Sequence, residues 1–187
     1  MLQSSPWPRI TGIALALSVL AACDSPVTAP ESSAFPKPNF AIGAVASELT
    51  PELHQDLAAL RAYASPLHDL DRAMDAGFDA KVTECRDNPP IGGMGYHYAN
   101  VGRIDGAPPT VLEPEILVFS PRSNGKLGLG AVEYIVPYAA WTGDPPTLLG
   151  QTFHRNDGDG VWMLHVWLWR NNPAGLFEDW NPTVSCG

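Results

Sequence analysis

Apolar residues follow two rhythms along this chain, and the change between them divides it. From Thr50 to Ala76 the spacing is helical. Leu53, Leu57 and Leu60 recur at i, i+4 and i+7, so one stripe of a helix is apolar. Thr50 suits its N-cap, Pro51 its first turn, and Glu52 the positive end of its dipole. A second helix is predicted from Ser65-Pro66 to Ala76, with Leu67, Leu70 and Met74 inward and Gly77 as its stop. After Phe78 the pattern becomes alternation and short apolar runs, which predict strands at 79–85, 94–101, 115–119, 126–137 and 160–169. Ser123-Asn124-Gly125-Lys126 reads as a hairpin turn, and Asn156-Asp157-Gly158-Asp159-Gly160 as another. Helices first and consecutive strands after predict an α+β domain, two N-terminal helices packed on a mainly antiparallel sheet. Whether that sheet curls toward a barrel is left open by the pattern.

The N-terminal stretch is built differently. After one charge at Arg9, Ile10 to Ala22 is almost wholly apolar. About 13 residues fall short of the roughly 20 that a membrane-spanning helix needs, and the layout is that of a secretion signal. Leu20-Ala21-Ala22-Cys23 resembles the lipobox of bacterial lipoprotein precursors. That resemblance implies cleavage before Cys23, lipid on its thiol and an acylated new N-terminus. It makes membrane lipid a partner and the location extracytoplasmic, periplasmic in a Gram-negative cell. Asp24 resembles the inner-membrane retention signal of enteric lipoproteins, which leaves inner and outer membrane undecided. Residues 23–47, rich in Pro and small residues, read as a tether. The expected division is thus 1–22 signal peptide, 23–47 lipidated Cys and tether, and 48–187 a single globular domain.

Of the 187 residues, removal of 1–22 leaves 165, enough for one domain with a proper core. The remaining 10 basic residues face 20 acidic ones, with no basic run, so nucleic acid is excluded as a partner. Three cysteines are present. With Cys23 lipidated, Cys85 and Cys186 remain. In an oxidising compartment the pair reads as one disulfide, against two free thiols or metal ligands, and the missing C-x-x-C spacing argues against a zinc site.

Familiar catalytic signatures are missing: no G-x-S-x-G, H-E-x-x-H, Walker A or G-x-G-x-x-G occurs. The chemistry that stands out is three ionisable side chains set in apolar strands. His97 lies in Gly95-Tyr96-His97-Tyr98, Glu133 in Gly130-Ala131-Val132-Glu133-Tyr134, and His165 in Val161–Trp169, a run apolar on both faces. A buried charge needs a partner or a metal. Facing one cavity, the three make a 2-His-1-carboxylate set suited to iron, zinc or copper, with His154 as a fourth candidate ligand. Tyr98 and Tyr134 are candidate proton donors. Trp167 and Trp169, on the predicted face of His165, are candidates with those tyrosines to line a pocket for an apolar or aromatic ligand. The competing account is a core histidine bonded to a backbone carbonyl, with Glu133 paired to Arg103 or Arg122.

The strings around Gly92–Tyr98, Gly130–Tyr134, Leu164–Trp169 and Asp179-Trp180-Asn181-Pro182 resemble uncharacterised secreted bacterial proteins, a resemblance over about residues 50–187 that implies no activity. Two functions follow as expectations. One is a lipid-anchored extracytoplasmic protein with a His/Glu metal site, and enzymatic chemistry there is left open. The other is a non-catalytic envelope protein that binds a small apolar ligand or a protein partner.

Overall fold

Six antiparallel strands dominate the domain, and one long helix covers one face of their sheet. The computed structural model describes residues 50–187, so the signal-like segment, Cys23 and the tether at 23–47 lie outside the described residues. Helix α1 spans Pro51–Ala64, capped by the Thr50 hydroxyl, which accepts from the Leu53 N–H at 3.2 Å. Its stripe of Leu53, Leu57, Leu60 and Ala64 is buried as the spacing predicts.

The second predicted helix does not form as one piece. Ser65–His68 is a 3-10 turn, Asp69 is extended, and only Leu70–Asp75 is α-helical (α2). Asp69 is the cause: its carboxylate accepts from the Arg72 N–H at 3.2 Å and restarts the helix as a cap. That break also turns Met74, expected inward, outward to 40 % exposure.

The strands are β1 (Ala80–Asn88), β2 (Gly92–Ala99), β3 (Ile116–Pro121), β4 (Leu127–Pro137), β5 (Thr147–Leu148), β6 (Gln151–Thr152), β7 (His154–Asn156) and β8 (Val161–Trp167). The main sheet runs β1-β2-β3-β4-β8-β7, every neighbour antiparallel, while β5 and β6 form a separate two-stranded ribbon. Both predicted turns are present. Gly125, at φ +76°, closes β3 to β4, and the Gly160 N–H bonds the Asn156 carbonyl at 2.9 Å between β7 and β8.

Alternation along the strands splits the interior in two. Leu117, Phe119, Val132, Tyr134, Val136, Leu164 and Val166 pack with α1 and Phe78 on the helix side. Ile116, Val118, Ala131 and Trp167 face the other way, where Val184 covers them. The sheet curls around this second face: Val82 of β1 and Asn156 of β7, from the two edge strands, line the same cavity. Those edges do not pair. Arg86 and Asp159 bridge the gap instead, at 2.9 Å.

The C-terminal segment closes the curl. The Trp167 indole donates to the Glu178 carbonyl at 2.6 Å, buried Asn181 bridges to Gly93, and Cys186 forms a disulfide with Cys85 across a separation of 101 residues.

Glu115, at the head of β3, supplies a pH dependence. Burial pushes its carboxyl from 4.5 up to about 7, although it accepts from the Ile135 N–H at 3.1 Å. The folded state holds this proton more tightly than the unfolded chain does. The contribution of Glu115 to stability is therefore full below 4.5 and lost as pH rises to about 7. Melting temperature is expected to fall across that window, and Glu115→Gln to flatten the fall in a series of thermal melts.

Candidate metal centre

Register brings the three singled-out residues together. Glu133 of β4 pairs directly with His165 of β8 and, on its other side, with Ile116 of β3. His97 of β2 pairs with Val118, the next residue but one along β3, so its ring reaches Glu133 diagonally on the same face. Gly95, at φ +115°, lets β2 bend before His97. A side chain there would meet the Phe119 carbonyl oxygen at 2.4 Å.

His97, Glu133 and His165 are all buried, His165 completely. His97 Nε2 lies 3.4 Å and His165 Nε2 3.8 Å from Glu133 Oε2, and the rings stand edge to face at 5.7 Å. One ligand atom from each residue falls within 4.8 Å of the others. Metal bonds of about 2.0–2.2 Å would bring such atoms slightly closer, a move of under about an ångström each.

The outer nitrogens are aimed as well. His97 Nδ1 is 2.7 Å from Thr83 Oγ1. When that nitrogen donates to the hydroxyl, Nε2 keeps its lone pair for an ion. His165 Nδ1 is 3.3 Å from Asp179 Oδ1, and Asp179 Oδ2 is 2.9 Å from His154 Nε2. Neither approach is aligned as a hydrogen bond: both nitrogens of His165, His154 Nε2 and Asp179 Oδ1 are buried without a hydrogen-bond partner among the described residues. These contacts are therefore electrostatic. Such a concentration of unpaired polar atoms in one place is rare in a folded interior.

Burial sets the protonation, with neighbours correcting it. His97 is pulled down to about 3 by burial, reinforced by His165 and Arg86, so its imidazole is neutral. Burial raises Glu133 above the ordinary carboxylate range. At His165 burial opposes the charged form, but Glu133 and Asp179 outweigh it and the net shift is upward. At Asp179 burial alone would raise the carboxyl, yet His154 and His165 hold it well below the usual range.

The remaining expected residues fall elsewhere. His154 stands outside the three-residue group and reaches it only through Asp179. Tyr98 and Tyr134 are on the helix side: Tyr98 stacks edge-on against Phe119, and the Tyr134 hydroxyl donates to the Val111 carbonyl at 2.6 Å. Each follows a site residue in its strand, and period-two alternation turns it away, so neither serves as proton donor here. Trp169 lies beyond the end of β8, where three successive N–H groups converge on the Gly130 carbonyl, and its ring meets His68 on the helix side. Trp167 alone shares the face of His165, its ring stacked at 6.4 Å. The four expected pocket aromatics thus do not form one pocket. Arg103, a candidate partner for Glu133, bonds the Pro114 carbonyl and the Tyr63 hydroxyl instead.

Asp179 and Thr83 are the members that the pattern did not single out. Asp179 sits in an irregular loop with no periodicity to mark it, and Thr83 is an ordinary strand residue. If Asp179 orients His165 toward an ion, Asp179→Asn is expected to weaken metal binding about 10–100-fold, read by competition with a chelator.

No protein family, curated protein or solved structure matches this chain.

Proposed function

We propose that His97, Glu133 and His165 hold one divalent transition ion (iron, zinc or copper) in a lipid-anchored, extracytoplasmic protein. The observation that carries this is the convergence of three buried ligand atoms within 4.8 Å, two of them imidazole nitrogens backed by Thr83 and Asp179. Two imidazoles and one carboxylate leave coordination positions open. Both His97 and Glu133 line a cavity of about 200 Å³, so a ligand entering it would come beside the ion they would hold. An ion there would polarise a substrate oxygen or activate water. The chain's own contribution is to fix the imidazoles, bury the carboxylate and keep the surroundings apolar. The test is elemental analysis of the full chain purified in detergent. About one equivalent of metal is expected, and a folded protein with none overturns the reading.

Support for the anchor is Leu20-Ala21-Ala22-Cys23 behind a short apolar run. Among the described residues, no helix is long and apolar enough to cross a membrane. Cells fed labelled palmitate are expected to label the chain, and Cys23→Ala to abolish the label. Undiminished labelling would sink the anchor.

The apolar cavity lining favours a second reading, ligand binding without chemistry. A folded, metal-free protein that binds an apolar ligand would select it.

A further inference from the structure

The chamber beside the three ligand atoms is mostly apolar but holds a few charged groups. Its walls are Val82, Ile104, Ile116, Ile135, Val161 and Met163. The lining also holds the buried His97 and Glu133 and the partly exposed Arg86 and Asp159, which form an ion pair. The volume is about 200 Å³, and an apolar cavity of about 150 Å³ already takes up benzene. A sugar or a peptide would leave its polar groups unpaired along these walls. A molecule with an apolar body and a single polar head would not. Its head must find the ion, since a buried charge needs a partner.

Resting on the metal reading above, we infer that this chamber takes a small apolar carboxylate of about one aromatic ring, carboxylate toward the ion and ring against Ile135 and Met163. Both sheet edges contribute to the lining, and the Arg86–Asp159 pair spans the gap between them. Neutral molecules of the same shape fit the walls equally but lose the inner contact, so the preference between the two measures the head group alone.

Two methionines in the lining supply the readout. Met94 and Met163 face the chamber, whereas Met74 is exposed on α2 and serves as control. With methyl-labelled methionine in the full chain, benzoate added to the metal-loaded protein is expected to shift the Met94 and Met163 signals and leave Met74 still. Benzoate should bind about tenfold more weakly to metal-free protein, and toluene about tenfold more weakly than benzoate to the loaded form. Ile104→Phe, which fills the chamber from a loop, should remove the response and leave the metal content unchanged. Metal bound with unmoved methyls overturns this ligand class and leaves the metal reading standing. Benzoate binding that is equal with and without metal, or equal to toluene, overturns the carboxylate contact. No metal taken up overturns the metal reading, and this assignment with it.

Discussion

Glu133→Gln is expected to abolish metal retention while leaving the metal-free protein as stable as before, or more so. The carboxylate is 5 % exposed and burial raises its pKa, so its charge is held at a cost. Glutamine keeps the volume and removes the charge. If Glu133 exists to bind an ion, affinity should fall by more than the about 10–100-fold that loss of an outer residue costs, and melting of the stripped protein should not drop. If Glu133 is instead a structural partner of His97 and His165, the same change breaks a buried charge cluster and destabilises by about 3–5 kcal/mol. Elemental analysis and calorimetry on one variant therefore separate the two accounts. His165→Ala should lose the ion as well, but it empties a fully buried position and cannot separate them alone.

The second large effect belongs to the disulfide. The Cys85→Ser/Cys186→Ser double variant is expected to lose about 2–5 kcal/mol, because the bridge closes a loop of about 100 residues in the unfolded chain. For a domain of this size that is a fall of about 10 °C in melting temperature. Calorimetry of the oxidised protein against the double variant measures it. A difference below about 1 kcal/mol would mean that the C-terminal segment is held by its other contacts, among them Asn181 against Gly93 and the burial of Val184.

Much of the frame was legible in the residues because it rests on short-range rules. Strand positions came from alternation and turns, and all five predicted strands appear, shifted by a few residues at their ends. The stripe of α1 and its cap followed from spacing and from Thr50-Pro51. Where one short-range signal competes with another, spacing alone misleads. Ser65–Ala76 carries helical spacing, but Asp69 caps a new start within it.

The three site residues stood out because each is an ionisable group in an apolar strand, a conflict that only tertiary structure resolves. Their convergence depended on register, which the residues alone do not set. Tyr98, Tyr134 and Trp169 lie away from the site for physical reasons. The tyrosines adjoin site residues in sequence and so face away, and the bend after Trp167, where three N–H groups meet the Gly130 carbonyl, takes Trp169 off the strand. Asp179 was hidden because a loop carries no pattern; only the fold places it beside His165.

The path of the C-terminal segment has a consequence for when the centre can exist. Thr83, His97, Glu133, His165 and Asp179 come from nearly the whole described length, and the C-terminal segment that brings Asp179 into place is fastened through Asn181 and Cys186. Were the chain exported unfolded, as proposed above, it would carry no such constellation with it. If the proposed export and ion both hold, the ion would be taken up on the far side, from the supply of that compartment, once the segment carrying Asp179 has arrived.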